Sequence, residues 1–148
     1  MSRAYALSPL RVRITEQVTI NGIDRGSSAN FTIPDIQYVD TGTVTIPDVA
    51  TRIFTFGGAA TTRSWAASKL KYLRITNMDT STSVDIRVAA TDSYWVRLKA
   101  YQHLLLGDVG VDAQASSTAA APSYADISTI DAKTASGTST IEYVLALI

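Results

Sequence analysis

The sequence reads LKYLRITNM over residues 70–78, SVDIRVAAT over residues 83–91 and YWVRLKAYQHLLL over residues 94–106. Each run is rich in β-branched, aromatic and aliphatic residues, the types that are enriched in strands. The linkers between the runs, MDTSTS and ATDS, consist largely of turn-forming residues. The three runs therefore predict a β-meander in the second half of the chain.

Strand patterns also occur before the meander. Residues 10–20, LRVRITEQVTI, alternate apolar and polar side chains with the period of a half-buried strand, and Asn21-Gly22 then marks a turn. The phrases FTIPD at residues 31–35 and VTIPD at residues 44–48 each predict a strand that ends at its proline, because proline cannot donate a ladder hydrogen bond.

Three further segments complete the outline. Residues 57–69, GGAATTRSWAASK, are consistent with a helical turn or with a loop that contains Trp65, and residues 113–125, AQASSTAAAPSYA, predict a surface loop. The chain closes with ISTIDAKT at 127–134, a Ser-Gly-Thr turn and STIEYVLALI at 139–148, which together predict a hairpin. The pattern leaves open whether the last strand pairs within its own sheet or with a neighbouring chain.

Short strands separated by regularly spaced turns set the fold class. We count about eight or nine of them, with no amphipathic helix, which is typical of sandwiches and jelly rolls. We therefore predict one all-β domain over residues 1–148, an antiparallel β-sandwich or jelly roll. Residues 1–9, ahead of the first clear strand, are a candidate N-terminal arm.

Charge composition narrows the class of partner. Thirteen basic and thirteen acidic residues give a formal net charge of zero, so no global field draws the chain to nucleic acid or to an anionic membrane. No apolar run reaches the roughly 18 residues that a membrane span needs. The charged fraction, 18%, lies below the roughly 25% of ordinary soluble domains and favours association. We predict proteins or neutral glycans as partners and a homo-oligomer, without nucleic acid or membrane.

Catalytic groups are scarce in this sequence. It contains one histidine, His103, no cysteine, and two glutamates, Glu16 and Glu142, which no sequence feature brings together. Acid–base or nucleophilic catalysis generally needs a proton carrier beside a nucleophile. We predict no enzymatic activity and no cofactor, and interpret His103 as a structural or interface residue.

Metal ligands are scarce for the same reason. Zinc needs three or four nearby histidine, cysteine or carboxylate ligands, which this composition does not offer. Calcium could bind through Asp79, Asp85, Asp108 and Asp112, but no EF-hand loop pattern surrounds them. We predict that these aspartates serve turns through their own hydrogen bonds, and that no metal is bound.

Aromatic side chains and the N-terminal segment supply the candidate interface. Trp65, Tyr72 and the pair Tyr94-Trp95 lie near arginines, and we interpret them as core or protein interface rather than as nucleobase platforms. The segment ahead of the first strand could cross a neighbouring subunit, or form a disordered tail or a strand of its own sheet. The predicted interface residues are Tyr5, Leu7, Pro9, Leu10, Trp65, Tyr101, His103 and Tyr124.

The second half of the chain resembles a known class of protein. It is similar to virion structural proteins of tailed bacteriophages, of the head decoration (cement) or small fibre type, in the order of its strands, turns and loops. The stretches that carry the similarity are YLRITNMDTSTSVDIRV, YWVRLKAYQHLLLGD and ISTIDAKTASGTSTIEYVLALI. Such sequences often have glycine in the turn ahead of the penultimate meander strand, where this chain has Ala100-Tyr101.

The resemblance implies a role on the virion. It implies a small β-domain that binds the outside of the capsid at junctions between major capsid proteins, commonly as a trimer, after assembly in the host cytoplasm. A second hypothesis is a tail or fibre component that binds a receptor or glycan, with Trp65 and Tyr124 stacking on sugar rings. An enzyme is the third hypothesis, which the scarcity of catalytic groups disfavours.

Overall fold

A computed structural model describes residues 7–57, 63–65, 70–107, 110–111 and 124–148 of the chain. Every regular element in these ranges is a β-strand. The chain divides into two units, Met1–Gln37 and Tyr38–Ile148, which we call the ribbon unit and the sandwich unit.

The described residues form fifteen strands. In the ribbon unit they are β1 (Ser8–Thr15), β2 (Thr19–Ile20), β3 (Ile23–Asp24) and β4 (Ser28–Ile36). In the sandwich unit they are β5 (Tyr38–Ile46), β6 (Thr51–Phe56), β7 (Ser64–Trp65), β8 (Leu70–Asn77), β9 (Val84–Ala89), β10 (Ser93–Leu98), β11 (His103–Leu106), β12 (Gly110–Val111), β13 (Ala125–Asp126), β14 (Thr129–Thr134) and β15 (Ser139–Leu147).

The ribbon unit is a long antiparallel pair with a small hairpin at its turn. Strand β1 pairs with β4, and β2 pairs with β3. Asn21 (φ 52°) and Gly22 (φ 75°) connect β2 to β3. Positive φ at both central residues is what a type I′ hairpin turn requires, and Asn-Gly is its preferred pair. The turn predicted at these residues is confirmed.

The prediction that the first Ile-Pro-Asp phrase ends its strand at Pro34 is wrong. Strand β4 continues past the proline to Ile36. The ladder has a register shift between Ser8 and Leu10, opposite this part of β4. Asp35 has φ 60° there. A bulge tolerates proline, since the missing N–H falls where no ladder bond is made. The second phrase behaves as predicted: β5 ends at Ile46, directly before Pro47.

The sandwich unit consists of two main sheets and the short pair β12–β13. One main sheet has the order β11-β8-β15-β5, and the other has the order β10-β9-β14-β6-β7. All of their pairings are antiparallel except the two-residue pair β6–β7. If the eight longer strands are numbered in chain order, the sheets read 1-8-3-6 and 2-7-4-5, which is the jelly-roll arrangement. The predicted fold class is confirmed.

Two of the predicted local pairings are wrong. Strand β8 lies in the four-stranded sheet, whereas β9 and β10 form a hairpin in the other sheet, so residues 70–106 are not one meander. Strands β14 and β15 also lie in different sheets and form no closing hairpin. The intervening turns cross between the sheets. The residues that favour such a crossing turn are the same as those that favour a hairpin turn, so the sequence does not distinguish the two. The last strand pairs on both sides within its own sheet, with β5 and β8.

The run YWVRLKAYQHLLL is two strands rather than one. Strand β10 ends at Leu98 and β11 begins at His103. Tyr101 lies between them with φ 59°, a left-handed conformation that glycine adopts most easily. The turn thus has a left-handed residue of the kind that glycine usually supplies, although this chain has tyrosine.

The core lies between the two main sheets. Inward side chains from both sheets form one cluster, in which the ring of Phe54 on β6 meets Tyr143 on β15 edge to face at a centroid distance of 4.8 Å. The largest of the fully buried apolar side chains are Phe54, Ile46, Leu73, Ile75, Ile86, Ile130, Ile141, Leu145 and Leu147. The strand alternation brings these residues to one side of each sheet.

One buried side-chain amide connects the loops that cross between the two sheets. Asn77, the last residue of β8, is 0% exposed. Its Nδ2 donates to the carbonyl oxygens of Thr82 (2.8 Å), Leu98 (3.1 Å) and Lys99 (3.2 Å). Its Oδ1 accepts from the Ser139 hydroxyl (3.0 Å) and from the Asp79 amide (3.1 Å). The donor and acceptor atoms of the side chain are thus all used.

We predict that Asn77→Leu lowers the free energy of unfolding by about 2–4 kcal/mol, because buried carbonyl groups lose their donor. Ser139→Ala removes a single donor and should cost about 1 kcal/mol. Urea denaturation with an unchanged m-value measures both. An Asn77→Leu protein within about 0.5 kcal/mol of the wild type would show that the amide is not a structural centre.

Candidate functional site

The β1–β4 ribbon has one apolar face and one polar face. Residues that are directly opposite in an antiparallel pair share a face. The apolar face contains the pairs Leu10–Ile33, Val12–Phe31 and Ile14–Ala29. The polar face contains the pairs Arg11–Thr32, Arg13–Asn30 and Thr15–Ser28. Every residue of the apolar face keeps part of its surface exposed.

The end of the ribbon carries exposed aliphatic side chains. Val18, Ile20 and Ile23 are 46%, 54% and 53% exposed. Ile20 and Ile23 face each other across the β2–β3 pair, next to the Asn-Gly turn. We call these three residues the ribbon tip. β-Branched aliphatic side chains at a tightly fixed turn form a small, rigid apolar projection.

Strand pairing within the ribbon is limited to two strands. In the part of the chain that the structure describes, β1 and β4 hydrogen-bond to each other and to no third strand. A two-stranded pair is marginally stable in water, and its outer edges offer unpaired N–H and C=O groups. An amphipathic ribbon of this kind is suited to binding another protein surface.

A recess of about 350 Å³ in the sandwich unit is lined by residues of β5 and β15. Tyr143 in its lining donates a hydrogen bond to Asp40 Oδ2 at 2.9 Å. Burial raises the pKa of the Tyr143 phenol above its ordinary value, and the bond to Asp40 adds to that shift. The ring can approach β5 because Gly42 lacks a side chain; a Cβ there would lie 3.1 Å from the phenol oxygen.

The carboxylate of this recess is held in an ion pair. Glu142 accepts a hydrogen bond from Arg74 on β8 at 2.8 Å. The other glutamate, Glu16, lies in the ribbon unit and accepts a bond from the Ser27 hydroxyl. The polar groups in the lining of the recess are therefore threonine hydroxyls, the Tyr143 phenol and one ion-paired carboxylate.

The predicted interface residues are divided between the two units. Leu7, Pro9 and Leu10 belong to the ribbon unit, with Leu7 and Pro9 exposed. Tyr5 lies outside the described residues. Residues 8 and 9 are the first two of β1, so this part of the candidate arm is a strand of the ribbon.

The other four predicted residues lie in the sandwich unit. Tyr101 and His103 are exposed near the start of β11, where the Nδ1 of His103 shares a hydrogen bond with the Thr76 hydroxyl at 2.8 Å. Trp65 is half-buried and stacks on Phe56 at 5.7 Å between ring centroids. Tyr124 is 68% exposed. Most of the segment around Trp65 and the segment before Tyr124 lie outside the described residues.

The ribbon tip and the exposure of Trp95 were not predicted from the sequence. The Asn-Gly pair between Ile20 and Ile23 was a readable signal for a two-residue hairpin. The exposure of the flanking isoleucines could not be predicted, because the same Ile-Asn-Gly-Ile pattern also occurs in hairpins that pack on a core. Trp95 is 47% exposed, while its neighbour Tyr94 packs against the core.

Two of the four aspartates considered for calcium have protein partners. Asp79 accepts hydrogen bonds from the amides of Ser81 and Thr82, both at 2.7 Å, which lower the pKa of its carboxyl. Turn chemistry is confirmed for Asp79. Asp85 accepts two bonds from Arg97, at 2.6 and 2.9 Å. Asp108 and Asp112 lie outside the described residues, and within the described ranges no three histidine, cysteine or carboxylate side chains are grouped for a metal.

No helix in the described ranges is long and apolar enough to cross a membrane. No protein-family model, curated protein or solved structure matches the chain. The geometry of the two units is therefore the basis for a functional proposal.

We predict an acid-dependent loss of stability at the Asp85–Arg97 pair. The Arg97 hydrogen bonds hold the pKa of Asp85 below its ordinary value of 3.8. A lowered folded-state pKa stabilises the protein above the unfolded-state pKa, and this contribution disappears as the pH falls through the folded-state value. The stability advantage over Asp85→Asn should be about 1 kcal/mol or less, because Arg97 is solvent-exposed.

Urea denaturation from pH 7 down to about pH 2 measures this difference. The advantage should be constant near neutrality and decrease below about pH 4. Arg97→Gln should remove most of this pH-dependent part, and the charge of Lys133 accounts for the remainder. A difference between wild type and Asp85→Asn that stays constant across the range would contradict the pKa assignment.

Proposed function

We propose that this chain is a virion structural protein, a capsid decoration or cement protein that binds and stabilises the junctions between major capsid proteins. The observation that carries the proposal is the ribbon unit, with its apolar face and exposed tip. In this proposal the sandwich unit supplies a self-contained body, and the ribbon binds a neighbouring protein chain on the capsid surface.

The energetics of the ribbon tip support binding to another protein. Burying an aliphatic side chain fully is worth about 1.5–3 kcal/mol, and the three tip residues are each about half exposed. Each binding event therefore gains a few kcal/mol at most. A homo-oligomer, with a trimer as the favoured state, multiplies this contact through effective concentration, since several tips engage one shell together.

The strand order supports a virion or lectin role without separating the two. Jelly rolls recur in viral capsid and lectin domains. The same fold hosts many functions, so a site must decide between them. The alternative function is a phage tail or fibre component that binds a receptor or glycan. The exposed ring of Tyr124 favours this alternative, because an open aromatic face can stack on a sugar.

Cryo-electron microscopy of particles that contain the chain tests the proposal. Density for the sandwich at capsomer junctions, with the ribbon crossing to an adjacent subunit, is the expected result. Density on the tail or fibre would support the alternative, and absence of the chain from purified particles would refute both. The mass of the purified protein in solution gives the stoichiometry, for which we expect a trimer.

We predict that the double substitution Ile20→Ser and Ile23→Ser weakens binding to particles. The two side chains lose about 2 kcal/mol of apolar burial between them, which corresponds to roughly thirtyfold in affinity. Both residues are exposed in the isolated chain, so the thermal unfolding midpoint should stay close to the wild-type value. Co-sedimentation with undecorated particles measures the bound fraction.

Val49→Ser is the matched control for the ribbon-tip variant. Val49 is 67% exposed and lies in the sandwich unit, so this change also removes an exposed β-branched side chain. It should bind particles as the wild type does. Wild-type binding by the double variant, or equal losses in both proteins, would show that the ribbon tip is not the contact.

A further inference from the structure

The outer face of the five-stranded sheet carries a compact group of charges around one tryptophan. Side chains directly opposite each other in the pairings β10–β9, β9–β14 and β14–β6 form two rows across this face. One row is Trp95, Arg87, Asp131 and Arg52, and the adjacent row is Arg97, Asp85 and Lys133. We call these seven residues the Trp95 face.

The Trp95 face has a surplus of positive charge at its surface. Four cationic side chains accompany two carboxylates, a local surplus of two positive charges on a chain with no net charge. The carboxylates lie beneath the cations: Asp85 and Asp131 are 14% and 11% exposed, whereas the side chains of their arginine partners are 41–61% exposed. A partner approaching this face therefore meets guanidinium and ammonium groups first.

Trp95 gives the face an apolar centre. Its ring lies 6.0 Å from the Arg87 guanidinium carbon and 5.6 Å from the Lys133 Nζ. These cation–π contacts hold the indole among the cations, yet 47% of the residue remains exposed. Exposed tryptophan next to arginine is the composition that dominates binding energy in protein interfaces.

We propose that the Trp95 face binds an acidic segment of a partner protein, with carboxylates on the cations and an apolar side chain against Trp95. Guanidinium groups bind carboxylates bidentately, and the charge surplus is complementary to two or so acidic residues. The face spans four strands that are about 4.8 Å apart. A nucleic acid, with a charge about every 1.7 Å along a duplex, needs a longer basic track. The inference does not depend on the proposed capsid role.

Binding of a fluorescein-labelled polyglutamate peptide, measured by anisotropy, tests the proposal. We expect binding at an ionic strength of about 0.01 M and its loss at about 1 M, where the Debye length shrinks from about 30 to about 3 Å. Lys133→Glu should weaken binding about five- to tenfold at low salt. Lys133→Gln should weaken it about two- to fivefold, which keeps the test valid if the charge reversal disturbs the fold.

Lys71→Glu is the matched control, because Lys71 lies on β8 in the other main sheet. It should keep its affinity within about twofold. A Trp65→Phe protein retains Trp95 as its single tryptophan, and its emission should change when polyglutamate binds. The Ile20→Ser and Ile23→Ser protein should bind polyglutamate normally, which separates this result from the ribbon experiment.

Three results would overturn the proposal. Polyglutamate that does not bind at low ionic strength would exclude an acidic partner segment. Equal losses in Lys133→Glu and Lys71→Glu would show that binding depends on net charge rather than on this face. Tighter binding of a single-stranded oligothymidylate of matched charge would assign the face to nucleic acid instead.

Discussion

The buried amide of Asn77 is the contact on which the sandwich unit depends. A jelly roll places most successive strands in different sheets, so strand pairing alone does not fix the loops that cross between the sheets. Asn77 binds the loops that follow β8 and β10, through Thr82 and Lys99, and the start of β15 through Ser139. Three crossings thus meet at one satisfied side chain. A buried polar group with every bond made specifies a single arrangement, and leaving its partners unpaired is costly.

The ribbon unit lacks such internal support. The two main sheets of the sandwich cover each other's apolar faces, whereas β1 and β4 form a pair with an apolar face and an exposed tip. A two-stranded ribbon gains too little from its own contacts to be stable alone. We propose that this difference separates the two units by role: the sandwich maintains its own fold, and the ribbon gains stability from a partner chain. The proposed capsid role depends on both properties.

The sequence predicted the fold class well and the pairing of the strands less well. Alternation and turn residues located most strands, because strand period and turn chemistry are local. Local sequence does not determine which sheet a strand joins. The turns after β8 and β14 therefore have the residues of hairpin turns, although each crosses between the sheets. The continuation of β4 past Pro34 could not be predicted, because the bulge at that position depends on the partner strand. Of the residues predicted for an interface, Leu7, Pro9 and Leu10 belong to the ribbon unit. The exposure of the ribbon tip and of Trp95 was not predictable, because it depends on tertiary structure.

Amide hydrogen exchange on the free and particle-bound protein tests the central claim, that the ribbon is completed by another chain, most directly. In the free chain, amides of β1 and β4 should exchange much faster than those of β8 and β15, because local stability follows buried contacts. On the particle, the β1 and β4 amides should become protected while the sandwich changes little. Ribbon amides that are as protected as β15 in the free monomer, or that stay unprotected on the particle, would contradict the account.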